Sequence, residues 1–160
     1  MATASKHSLF LAALKARLET IFSGDSYWYR PRVVRIPGFK ETYLDASLET
    51  IYFLVPGNEN PMAMTFGRMK SELRLDLLLA RRFEGGDDPF NPPNPDRLEE
   101  QDRIRQDATK VLEADFKVGG TSIETHITRV EMAAEDVFHE TWAVVFMSLL
   151  ATFEYAEGAP

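Results

Sequence analysis

The sequence predicts an α+β (α/β layered) fold: a mixed, mainly antiparallel sheet of about five strands with two main helices packed on it. Three observations carry this prediction. Apolar residues recur at helical spacing in two stretches, they alternate or run continuously at strand spacing in five others, and the chain order is helix, three strands, proline-rich loop, helix, two strands. At 160 residues, with 44% hydrophobic residues and no long apolar run, the chain is expected to form a single domain over 1–160. Strands joined by short turns should pair antiparallel, whereas the crossing through the second helix can set two strands parallel.

The first helix lies within Met1 to Phe22, capped by Ser5 or Ser8, with Leu11, Leu14, Leu18, Ile21 and Phe22 on one side and Lys15, Arg17 and Glu19 on the other. Those charges interrupt its apolar run, so it reads as an amphipathic helix rather than a signal peptide or membrane span. Ser23-Gly24-Asp25 ends it. Tyr27 to Ile36 is aromatic and β-branched, and Pro31 makes it either an edge strand or one that begins after the proline. A second strand, from about Leu48 to Val55, is closed by the turn formers Pro56 to Pro61. In Glu72 to Phe83, leucines 73, 75, 77 and 79 alternate with Glu72, Arg74 and Asp76, the period of a strand with one covered face.

Residues 85–95 hold four of the nine prolines and two glycines, which predicts a long exposed Pro/Asn-rich loop at about 84–96. Asp96 as N-cap with Glu99 in a capping box then opens a helix to about Phe116, with Leu98, Ile104, Ala108, Val111 and Leu112 inward. Glu100, Asp102, Arg103, Gln106, Asp107 and Lys110 form its expected solvated face. Thr121 to Met132 alternates again, Ala133 to Phe138 is a connection, and Trp142 to Tyr155 is apolar in both alternating sets, as in a strand covered on both faces.

With 18 basic and 25 acidic side chains the formal charge is −7, a field that repels nucleic acid and anionic lipid. The absence of cysteine removes disulfide scaffolds, thiol nucleophiles and cysteine-ligated metal sites. Neither a P-loop nor a GxGxxG fingerprint occurs, Gly119-Gly120 stands before a strand rather than a helix, and no GxSxG elbow is present. His7, His126 and His139 are scattered and read as structural or surface residues. Glu135, Asp136 and His139 have metal-compatible spacing on a turn of helix, although a solvated acidic turn is the simpler reading, and Asp87, Asp88 and Asn91 lack the alternation of a calcium loop. Tyr27-Trp28-Tyr29 beside Arg30 and Arg32 could stack bases, but the net charge favours strand packing or a protein interface. No catalytic, cofactor or metal site is expected.

The layout resembles the tail terminator (tail completion) proteins of long-tailed bacteriophages, of the lambda-like type. The resemblance lies in the leading helix ending Leu18-Glu19-Thr20-Ile21, the segment Trp28-Tyr29-Arg30-Pro31-Arg32 and the alternating Leu73-Arg74-Leu75-Asp76-Leu77. To these belong the helix ending Leu112 to Phe116, Gly119-Gly120, and the closing strand Trp142 through Tyr155. It implies a structural virion protein, not an enzyme, that forms a homohexameric ring on the tail tube and stops tube polymerisation. That ring would offer the head-tail connector a docking surface. The expected location is the virion tail or neck, with host cytoplasm during assembly, and no membrane. DNA would pass through an acidic lumen without specific binding. Another neck or head-completion (head-tail joining) protein is the alternative. A small metal-dependent enzyme built on Glu131, Glu135 and His139, and a single-strand binder using Tyr27 to Tyr29, are more distant. Candidate interface residues, chosen by residue type and expected exposure, are Tyr29, Arg30, Arg32, Arg81, Arg82 and Phe90.

Overall fold

Ser5 opens helix α1 (Lys6–Glu19) by accepting the Ser8 backbone N–H on its hydroxyl at 3.1 Å. Phe10, Leu14 and Leu18 form the buried stripe of α1, continued by Ile21 just beyond it; Leu11, expected inward, is only half-buried. In the computed structural model the described residues are 5–21, 27–29, 31, 33–36, 50–63, 68–82, 95–133 and 142–156.

After α1 the elements are β1 (Val33–Arg35), β2 (Thr50–Ala63), β3 (Arg68–Arg82), α2 (Pro95–Ala114), β4 (Glu124–Met132) and β5 (Trp142–Ala156). The fold is α+β, with two helices and a five-stranded sheet in the order β1-β2-β3-β5-β4 among the described residues. β1 begins after Pro31 and is an edge strand, so Tyr27 to Tyr29 precede the sheet instead of joining it. The parallel pair is β1 with β2, and every other pairing is antiparallel. The crossing through α2 does orient β3 and β4 alike, but β5 returns between them and pairs with both. A strand apolar on both sides is suited to that interior position.

β2 and β3 are longer than the sequence suggests. Pro56 to Pro61 was expected to close the strand; instead β2 continues to Ala63, with a register shift between Pro56 and Glu59, and β3 starts at Arg68 rather than Glu72. The irregularity absorbs residues that cannot keep a regular ladder. Gly57 sits at its closest approach: a Cβ there would lie 2.7 Å from the Arg74 carbonyl oxygen. β3 pairs with β5 along its whole length, from Arg68↔Ala156 to Arg82↔Trp142.

The main core lies between the sheet and the helices, where Phe10, Leu14, Leu77, Ile104, Met147 and Phe153 meet. A smaller cluster on the other sheet face joins Ile51, Phe53, Leu78, Ala80, Trp142 and Val144. Pro95 is the first residue of α2, a position where its missing N–H costs little. Helix therefore includes the last two residues of the loop expected at 84–96, and Asp96 lies inside the first turn instead of capping it. Glu99 pairs with Arg103, not with a cap. The rest of that loop and the connection after Ala133 lie outside the described residues. Leu98, expected in the core, is exposed, whereas Arg97 and Gln101 are buried. After α2, Val118, Gly119 and Gly120 all adopt positive φ (49°, 67° and 79°), turning the chain into β4. No helix among the described residues is long and apolar enough to cross a membrane.

Candidate functional site

The aromatic segment 27–29 is fastened to α2 by side chains that the sequence placed on a solvated face. Asp107, 2% exposed, accepts the backbone N–H groups of Trp28 and Tyr29, each at 2.8 Å. The Tyr29 hydroxyl donates to Glu100 at 2.8 Å and accepts from Arg103 at 3.1 Å. Arg81 reaches in from β3, with its guanidinium carbon 3.4 Å from the Tyr29 ring centroid. Its Nε donates to Glu100 at 3.0 Å and its Nη1 to Thr50 Oγ1 at 2.9 Å. Arg103 lies over the Trp28 ring and Lys110 over the Tyr27 ring, so each aromatic faces one cation.

Burial pushes the Asp107 carboxyl above its ordinary pKa despite the two N–H donors that favour its charged form. Burial also raises Tyr29, and its bond to Glu100 adds to the shift. Tyr52, fully buried nearby, is raised by burial and then by the Asp107 charge, and its hydroxyl has no hydrogen-bond partner among the described residues. Asp102 moves the other way, held down by its hydrogen bond from Arg105.

Among the six proposed interface residues, the structure brings Tyr29 and Arg81 into one stacked, hydrogen-bonded cluster. Arg82 is exposed at the end of β3, in register with Trp142. Arg30, Arg32 and Phe90 lie outside the described residues, as do Asp87, Asp88, Asn91, Glu135, Asp136 and His139. Of the groups considered for metal chemistry, Glu131 pairs with Arg129 at 2.9 Å. His126 lies 3.2 Å from Glu124 on an exposed strand. No group of three or more His, Cys, Asp or Glu suited to a metal ion occurs among the described residues.

Further along the molecule, β4 forms the second edge of the sheet among the described residues and carries exposed apolar side chains. Val130 and Met132 are about 40% exposed, Ile123 at the strand entrance is equally so, and Phe116 at the end of α2 is half exposed. A hollow of about 380 Å³ between α2 and β4 is lined by Leu112, Glu113, Phe116, Thr125, His126 and Ile127. On the opposite sheet face Ser148 donates to Asp76 at 2.9 Å beside Arg74 and Arg129, lining a second hollow of about 400 Å³. Both are partly open to solvent.

Sequence reasoning missed Glu100, Asp107, Arg97 and Gln101. The last two were detectable: 97, 101, 104, 108 and 111 step by four and three along one stripe, which places Arg97 and Gln101 among the core positions. Buried there, the Gln101 amide donates to the Ala133 and Val144 carbonyls, at 2.9 and 3.0 Å, and Arg97 donates to the Trp142 carbonyl. These bonds tie α2 to the entrance of β5. The chain matches no protein-family model, and it matches no curated protein.

Proposed function

We propose that the chain is a structural part of a bacteriophage tail, a tail terminator that assembles as a ring of six copies on the tail tube. There it stops tube polymerisation and offers the head-tail connector a docking surface. The observation that carries this reading is the β4 margin, a sheet edge with no further strand paired to it among the described residues, flanked by the exposed Phe116, Ile123, Val130 and Met132. Exposed apolar side chains along an edge strand are what a chain retains when another protein covers it. Support also comes from the Tyr29–Arg81–Glu100 cluster, which bonds residues 27–29 to both α2 and β3. The formal charge of −7 suits a lumen through which DNA passes without adhering.

The protein's partners in this reading are further copies of itself, the tube protein and the connector, in host cytoplasm during assembly and in the virion afterwards. Negative-stain microscopy of the concentrated protein tests it. Six-fold rings are the expected image. A ring of another subunit number would favour the head-completion alternative, and isolated particles at all concentrations would overturn ring formation by the free protein.

A further inference from the structure

The β4 edge also carries information about what covers it. Ala133 N donates to the Val144 carbonyl at 3.0 Å, continuing the register Met132↔Val145. By the two-residue alternation of an antiparallel ladder, Ala133, Glu131 and Arg129 turn their backbone groups toward β5. Val130 and Met132 turn theirs toward the outer edge, where no strand is paired among the described residues. The side chains divide in the same way. Arg129 and Glu131, 70% and 55% exposed, share one face of the strand, and Val130 and Met132 share the other.

We propose that two copies of this chain pair through their β4 strands, antiparallel and centred on Val130, so that their sheets join into one. In that register Val130 faces the partner's Val130 as a hydrogen-bonded pair, with both sets of backbone groups already pointing across the edge. Arg129 faces the partner's Glu131, and Glu131 the partner's Arg129, at the closer, non-hydrogen-bonded positions where side chains interact most strongly. Sliding the register by two residues, the smallest shift that keeps the outward backbone groups of the two strands opposite each other, sets Glu131 against the partner's Glu131 in one direction and Arg129 against the partner's Arg129 in the other. The strand is complementary to itself in one alignment and repelled in its two neighbours, which is how an edge selects register.

This inference rests on the reading of the β4 margin as an assembly contact and gives it a particular occupant. The contact uses the same surface on both copies, whereas a polar ring needs two different surfaces from each. The pair is therefore the form of the free protein at low concentration, and it opens when a ring is built.

The absence of cysteine allows a direct test. In a hydrogen-bonded antiparallel pair the Cα atoms are about 5.5 Å apart, within disulfide range. Val130→Cys should therefore cross-link to a covalent dimer on mild oxidation. Ile123→Cys, exposed on the same margin but about 45 Å from its own copy in this register, should not. Arg129→Glu and Glu131→Arg should each weaken the dimer by about tenfold or more, and the double reversal should restore it. Equal cross-linking of the two cysteine variants, or a dimer indifferent to the charge reversals, would overturn the proposal. An oligomer that fails to link through residue 130 would overturn it while leaving the margin an assembly contact. A protein that is monomeric throughout would overturn both.

Discussion

Removing the Asp107 carboxylate should loosen the aromatic segment from α2 and cost the whole fold. Asp107→Ala deletes two hydrogen bonds of 2.8 Å from backbone N–H groups to a nearly inaccessible acceptor. Bonds of this kind, to a charged group, contribute about 1.5–3 kcal/mol each. Burial of the carboxylate opposes part of that gain, as its raised pKa records, and the N–H of the half-exposed Trp28 can regain water. A net loss of about 3 kcal/mol follows, to be read from urea unfolding followed by circular dichroism. With Trp142 replaced by Phe, Trp28 fluorescence alone should become easier to quench with acrylamide. The pH dependence supplies a sign. A carboxyl whose folded pKa lies above its unfolded value makes the folded state bind the extra proton, so its contribution to stability grows as pH falls through the folded pKa. The gap between wild type and Asp107→Ala should accordingly widen from neutral pH toward the ordinary carboxylate range and level off below it. A loss under about 0.5 kcal/mol would refute the clasp. A gap that narrows on acidification would refute the dominance of burial over the N–H donors.

Three further expectations concern other parts of the structure. Gly57→Ala drives a Cβ to within 2.7 Å of the Arg74 carbonyl oxygen, so it should destabilise by about 1–3 kcal/mol in thermal or urea unfolding. Arg81→Lys keeps the charge but loses the planar fork that stacks on Tyr29 while bonding Glu100 and Thr50; it should destabilise nearly as much as Arg81→Ala, about 2 kcal/mol by the same assays. Chelation provides a test against the metal-enzyme alternative: EDTA, and later addition of divalent cations, should leave the melting temperature unmoved, whereas an ion bound to the folded state would raise it by mass action.

Much of the architecture was legible because it depends on patterns that local chemistry enforces. The alternating leucines of β3, the doubly apolar β5 and the capped α1 all place apolar side chains at the period of their element. Where the sequence misled, competing interactions settled the outcome. Pro56 to Pro61 has the composition of a turn, yet pairing of β2 with β3 continues past it, because a bulge accommodates Gly57 against the Arg74 backbone. The parallel pair appeared at β1 and β2, since β5 inserts between the strands that α2 connects. Asp107 and Glu100 share the exterior composition of their neighbours on α2, and only the arrival of residues 27–29 against that helix gives them partners. No spacing rule within α2 announces that arrival. The β4 margin was hidden for a related reason: alternation predicted a strand, but it does not say which apolar residues the helices cover, and Val130 and Met132 stay about 40% exposed although Gln101 of α2 bonds the neighbouring Ala133 carbonyl.

The mass of the purified protein in solution, followed over a wide concentration range, tests the central claim that this chain exists to assemble. A two-subunit species is expected at low concentration, giving way to a discrete six-subunit species as concentration rises. A single-chain mass at every concentration would contradict it.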